Sequence, residues 1–384
     1  MRGNGPFVLV ALSACACLPR GPHLYPVATP ALSLDMPAAS ALPPLMGPFE
    51  VATELKASGE KYVLVPVPVD ELPAPERLAL EIWLPATSEI QFPMVKVNQG
   101  GQRLLYRYPA NEAADRLIVE AEPHWRERRF AEAAALYRRA LKIQPDYYPA
   151  LLDLGDVASG EGNLEEAVAR YDRAIRANPA DHRGHFLRGN ALADLGRTEK
   201  ALDAYATALA LRPRHPRVLD GIEDRQGKLG IHVVRGLFSP RGLARQTSRG
   251  TEVHADTEGT PHWAIWAACK ALWMMEEDHR LKMTGLAEHR FSVLEEVECL
   301  GVLLQGYLVM RTQGKVEEEP ELDRLGRIAA AGQLPELVLY ELASRKSPHV
   351  VVHLDDARRA KMERFVRRFV FEREGAGPER EAAR

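Results

Sequence analysis

The chain has 384 residues, enough for two or three domains. Its 46% hydrophobic and 27% charged residues are ordinary for a globular protein, and a net charge of −3 gives no whole-protein field for nucleic acid. Four cysteines are too few for a disulfide-stapled scaffold or a Cys-rich zinc module, and no run approaches the roughly 20 apolar residues that span a bilayer.

Residues 1–14 carry one basic residue, Arg2, then the apolar run Phe7–Leu12, then Ser13 and Ala14. That is the order of a short secretory signal. The segment Leu12-Ser13-Ala14-Cys15 resembles the lipobox of bacterial lipoproteins: an aliphatic residue, two small ones, then cysteine. The resemblance implies that Cys15 is acylated and becomes the mature N-terminus. Ala16 rather than Asp after it resembles an outer-membrane address, facing the periplasm. Two alternatives stand beside it: secretion, with Ala14-Cys15-Ala16 as a cleavage site, and a cytoplasmic protein with an apolar N-terminus. Residues 15–48 then hold eight prolines, few charges and no helical or strand period. They read as an extended tether, able to span on the order of 90 Å at about 3.1 Å per residue.

Residues 49–110 read as a small β-containing segment. Tyr62–Val65, Met94–Val97 and Leu104–Tyr106 are short β-prone runs, and Pro66, Pro68 and Pro93 confine them to edges or ends. Asn98-Gln99-Gly100-Gly101 is a turn that joins the last two as a hairpin. An irregular arm packed on the following helices is the alternative.

The next stretch repeats. Pro145, Pro179 and Pro213 lie 34 residues apart, and each follows the same trio: Ala133-Tyr137-Ala140, Ala167-Tyr171-Ala174 and Ala201-Tyr205-Ala208. Small, aromatic and small residues at i, i+4 and i+7 share one helix face. The small ones admit a neighbouring helix and the ring fills the gap between turns. The earlier half of each unit repeats too, through Leu117 and Ala121, then Leu151, Leu154 and Gly155, then Gly189 and Leu192. Gly162 and Gly196 fall between the paired helices. Period and pattern resemble the tetratricopeptide repeat (TPR) family. The resemblance implies a TPR domain over 111–230: repeats 114–147, 148–181 and 182–215, closed by a capping helix at 216–229.

In that family the first helices of successive repeats line a concave groove that holds a peptide. The matching positions here are Ile118, Glu122 and Trp125 in repeat 1, Leu152 and Asp156 in repeat 2, and Arg183, Phe186, Asn190 and Asp194 in repeat 3. Where one TPR class clamps a C-terminal carboxylate, this chain has Ile118, Glu122 and Asp153. Two acidic groups there disfavour that ligand. A groove filled by the chain's own flanking segment is the alternative occupant.

Residues 231–259 lose helical period and read as a loop-rich linker. Residues 260–373 read as a helical C-terminal domain, with helices near 260–278, 287–310, 321–331, 334–344 and from Asp355; 374–384 read as a disordered tail. Trp263, Trp266 and Trp273 read as core in preference to an aromatic binding face. Met362, Phe365, Val366, Phe369 and Val370 form an apolar stripe on the last helix. Its opposite basic face reads as solvated rather than membrane-bound. Glu276-x-x-His279 is half of a di-iron motif without its second half, so no metal is expected. Cys269 and Cys299, on adjacent helices, are either paired or buried free thiols. No Walker loop, HExxH or GxSxG occurs.

The expectation is a mostly α protein with three tandem TPR hairpins forming an α-solenoid. It is taken as non-enzymatic, without cofactor, nucleic acid or small-molecule substrate. It is lipid-anchored at Cys15 in the bacterial envelope and acts as a scaffold or assembly factor for a protein partner. Alternatives are an enzyme or metal-binding module in 260–373 with the repeats as docking arm, and a cytosolic TPR adaptor.

Overall fold

A computed structural model describes residues 44–72 and 87–373. Cys15, the signal, most of the tether and the 374–384 tail lie outside these described residues.

Six helices form the repeats: α2 (Glu112–Arg126), α3 (Phe130–Ile143), α4 (Tyr148–Gly160), α5 (Leu164–Ala177), α6 (His182–Asp194) and α7 (Thr198–Leu211). The first helix of each repeat starts where local chemistry favours it. The Asn111 side chain accepts from Ala114 N–H, Asp181 accepts from Arg183 N–H, and Pro149 enters the first turn of α4. The Ala-Tyr-Ala trios are buried in all three repeats. The partner of each ring is a small residue on the preceding helix: a Cβ on Gly189 would sit 2.6 Å from Tyr205 Cε1, and one on Gly155 closer still to Tyr171. The turns inside the hairpins use a left-handed residue at Arg128 (φ 59°), Gly162 (φ 83°) and Gly196 (φ 71°), again 34 residues apart. Arginine takes in repeat 1 the position that glycine takes in the other two, which hid that turn from the sequence pattern.

The expected capping helix is two short ones, α8 (Pro216–Glu223) and α9 (Gln226–Leu229), and they do not close the array alone. Helix α7 buries Leu202, Ala206 and Leu209 as well as its trio. Its far side packs on α15 (Asp356–Phe365) and the π-helical turn Val366–Val370 that continues it. The third repeat and the C-terminal module therefore share one core. The apolar stripe Met362–Val370 supplies that contact, while Arg367 pairs with Glu199 of α7 at 2.5 Å.

Two sequence expectations are corrected here. The supposed loop-rich linker holds three strands: β4 (Ile231–Val233), β5 (Gly242–Thr247) and β6 (Gly250–Ala255). Residues 251–253 of β6 are all buried, so the two-residue alternation that marks a half-exposed strand is absent. The segment 49–110 does contain the expected strands, but one of them pairs far outside it. It opens with helix α1 (Pro48–Ala57), and β1 (Tyr62–Pro66) pairs parallel with β6, Tyr62 opposite Thr251, in the sheet β1-β6-β5. Gly250 (φ 120°) is required there, because a Cβ would collide with the Lys61 carbonyl. Strand β4 pairs with β7 (Phe371–Arg373).

The expected hairpin is present as β2 (Pro93–Val97) and β3 (Arg103–Arg107). It seats on the inter-repeat loops: Asn178 donates to the Pro93 carbonyl at 3.0 Å, and Tyr108 rests against Tyr147 and Tyr148. Arg103 donates to the Leu354 carbonyl at 2.8 Å, which ties the hairpin to the C-terminal module.

That module contains α10 (His262–Met275), α11 (Glu277–Thr284), α12 (Val293–Thr312), α13 (Pro320–Ala330) and α14 (Leu334–Leu337), the last continued by a π-helical stretch to Ala343. The first expected helix breaks at Glu276, and the second begins six residues later than expected, at Val293. Trp263, Trp266 and Trp273 are core. Cys269 and Cys299 form a disulfide between α10 and α12, with Cα atoms 5.4 Å apart.

Candidate binding groove

Helices α2, α4 and α6 bring the nine groove positions onto one side of the array, but those positions do not share one state. At the repeat-3 end they are engaged. Arg183 is held by Asp181 through Nε at 3.0 Å and a second bond from Nη2, and its guanidinium lies 3.7 Å from the centre of the Phe92 ring. Phe186 is half-buried beneath α8, with its ring against Gly221. It is therefore not free to meet a ligand in the way its groove position implied. Asn190 accepts from the Tyr205 hydroxyl at 2.8 Å, and Asp194 pairs with Arg225 (3.1 Å) and Lys228 (2.8 Å) of the closing helices. Leu152 is buried with Tyr148 and Ala191 between repeats.

At the repeat-1 end the groove is open among the described residues. A cleft of about 300 Å³ is lined by Ile118, Val119, Glu122 and Trp125 of α2, Tyr137 of α3, and Asp153 and Asp156 of α4. Trp125 is 42% exposed. Asp156 accepts from the Tyr171 hydroxyl at 2.6 Å, and exposed Glu122 pairs with Arg126. Asp153 has no hydrogen-bond or ion-pair partner among the described residues. Burial, with the neighbouring charges of Asp156 and Glu122, pushes its carboxyl up to about 8, against the opposing pull of Arg183. Burial pushes Asp156 to about 6, with the Tyr171 hydrogen bond opposing. The sequence pattern assigned Tyr137 to the core. Its ring is buried, yet the residue also lines the cleft.

The tandem units also match known proteins. The family profile described as "Tetratricopeptide repeat" matches residues 118–169 and 152–216. These are helical hairpins of the TPR type. The Sgt2 TPR domain from Aspergillus fumigatus is 22% identical, with 32% of this chain and 81% of that one covered and a TM-score of 0.29. The first TPR of Spaghetti (RPAP3), solved with the HSP90 peptide SRMEEVD, is 17% identical over 31% and 95% (TM-score 0.29). The Yersinia enterocolitica type III secretion chaperone SycD, solved with a peptide of the translocator YopD, is 15% identical over 31% and 92% (TM-score 0.29). These likenesses extend over about a third of the chain. No curated protein matches it.

Outside the TPR array, Glu276 and His279 point to different partners. Glu276 accepts from the Ser58 hydroxyl at 2.5 Å and from Tyr62, whereas His279 bonds Glu298 at 2.9 Å. Among the described residues no three His, Cys, Asp or Glu side chains are grouped to hold a metal. Lys270, partly buried, lies against the carboxylates of both Glu295 and Glu296 of α12.

Proposed function

We propose that the protein is a non-enzymatic binding scaffold of the bacterial envelope, anchored through Cys15, whose open groove holds a segment of a partner protein. The observation that carries the binding half is Trp125 at the mouth of the cleft. A large aromatic left nearly half exposed beside a formed cleft is the kind of residue that becomes a hot spot once a partner covers it. The chain's own hairpin lies along the inter-repeat loops and leaves this end open. The Cys269–Cys299 disulfide supports the envelope half, because such bonds persist chiefly in oxidising compartments.

Two experiments test the two halves. Fractionation with mass analysis of Cys15 should find a membrane-bound, acylated mature N-terminus, and Cys15→Ser should leave an unprocessed or soluble chain. Normal anchoring of that variant would remove the lipoprotein reading. For the groove, a crosslinking pull-down from the native envelope compares wild type with Trp125→Ala. Loss of about 2 kcal/mol of affinity is expected, with circular dichroism unchanged. Full recovery of every partner by a well-folded variant would mean that the groove is not the binding surface.

A further inference from the structure

The cleft has a charge imbalance that nothing among the described residues repairs. Asp153 and Asp156 stand at i, i+3 on α4, and Glu122 faces them from α2. The cation whose field reaches Asp153 is Arg183, and it is committed elsewhere: Asp181 takes its donors and Phe92 takes its face. Arg126 is turned to exposed Glu122. Asp153 is thus left lining the cleft without a donor, partly buried and beside an aromatic ring that is open to solvent. A carboxylate in that position is expensive to ionise and gains strongly from a positive group that arrives dry.

We propose that this cleft takes one lysine or arginine side chain of the partner segment, its charge received by Asp153 and its stem or guanidinium plane covered by Trp125. This deepens, and rests on, the reading of the groove as a peptide-binding surface. The volume, about 300 Å³, is at the small end of ligand pockets and suits a single side chain. Trp is the best aromatic partner for a cation, and Arg adds a flat face that stacks on it. Ile118 and Val119 give the aliphatic stem an apolar wall. Glu122 and Asp156 reinforce the sign of the field without competing for the same donor, since each already accepts a bond.

The elevated carboxyl adds a signature. Below about pH 8 the free Asp153 is largely protonated, and a bound cation must drive that proton off. Affinity for a basic ligand therefore rises with pH, by up to about tenfold per unit, and levels off above the carboxyl's own value. The groups facing Asp153 are Asp156 on its own helix, Glu122 of α2, Tyr137 of α3, Tyr171 of α5 and Arg183 of α6. Of these, Asp156 also titrates in the range, and it shifts the profile in the same direction.

The test uses the full chain and fluorescein-labelled short peptide pools, each with the central position fixed as Arg, Lys, Gln or Glu and the rest randomised. Fluorescence polarisation at pH 6, 7 and 8 reads affinity. Wild type should hold the Arg and Lys pools about tenfold or more tighter than the Gln pool, with the preference growing as pH rises. Asp153→Asn should erase both the preference and its pH dependence. Its thermal midpoint should be equal to or above that of wild type, because an amide needs no proton uptake on folding. Trp125→Ala should weaken every pool. Equal binding of all pools that is still lost in Trp125→Ala overturns the cation assignment and leaves the groove reading standing. Binding insensitive to both substitutions, or absent from every pool, overturns both. A preference for the Glu pool overturns the charge argument outright.

Discussion

Replacing a mid-helix glycine by alanine usually stabilises a protein, by roughly 0.8–1.0 kcal/mol of helix propensity. In this array the sign should reverse at Gly155 and Gly189. A methyl at Gly189 would lie 2.6 Å from Tyr205 Cε1 and 2.7 Å from Cδ1, and Gly155 leaves still less room beside Tyr171. Both rings are fully buried and anchored by their hydroxyls, to Asn190 and Asp156, so neither can swing aside. Overpacking of this kind costs about 1–3 kcal/mol, which outweighs the propensity gain. Gly301 in α12 and Gly326 in α13 are the internal controls, since a Cβ at either meets nothing within 4 Å. The four variants are compared by urea denaturation, with tyrosine environment followed by near-UV circular dichroism. Gly155→Ala and Gly189→Ala should lose stability while Gly301→Ala and Gly326→Ala gain about 1 kcal/mol. A gain at all four sites would refute the ring-over-glycine packing and, with it, the 34-residue register.

Tyr171→Ala should cost roughly 3–5 kcal/mol, as other large core truncations do, and Tyr171→Phe much less; equal effects would mean that the ring does not fill the core. Two buried histidines should draw stability down in acid. Burial holds His182 near 2 and His349 near 4, with Arg183 and Arg212 adding to the shift, so both fold in the neutral form. Their contribution is complete above the ordinary histidine value of about 6.5 and is lost as pH falls from there toward 4, at up to about 1.4 kcal/mol per unit for each. Because the raised carboxyls of Asp153 and Asp156 act in the opposite direction over the same range, the check is against His349→Gln: urea-midpoint profiles of wild type and variant that run parallel from pH 7 to pH 4.5 would contradict that burial. Reduction of the buried Cys269–Cys299 bond, which closes a loop of sequence separation 30, should lower stability by roughly 3–4 kcal/mol, and thiol titration of the denatured chain should rise by two only after reductant. The same thiol count with and without reductant would place two free cysteines in the core instead.

The repeats were legible in the sequence because their stability is local. Each hairpin meets its neighbour through residues a fixed number of positions away, so spacing alone exposed the Ala-Tyr-Ala trios and the turns at Gly162 and Gly196. The hairpin 93–107 was legible for the same reason, with its turn between its own strands. Only the tertiary structure could decide the rest. Strand β1 finds its partner nearly two hundred residues away, and the middle of β6 is buried without alternation, so neither carried a periodic signal. The sequence named the groove positions but could not tell occupied from free. Phe186 and Trp125 are the two aromatic groove positions, at different places in the repeat, yet α8 rests on the first and nothing described rests on the second. Asp153 and Arg183 carry opposite charges on the first helices of adjacent repeats. It is the seating of Phe92 and the cap at Asp181, both set by the packing of distant segments, that take the cation away and leave the carboxylate facing the cleft.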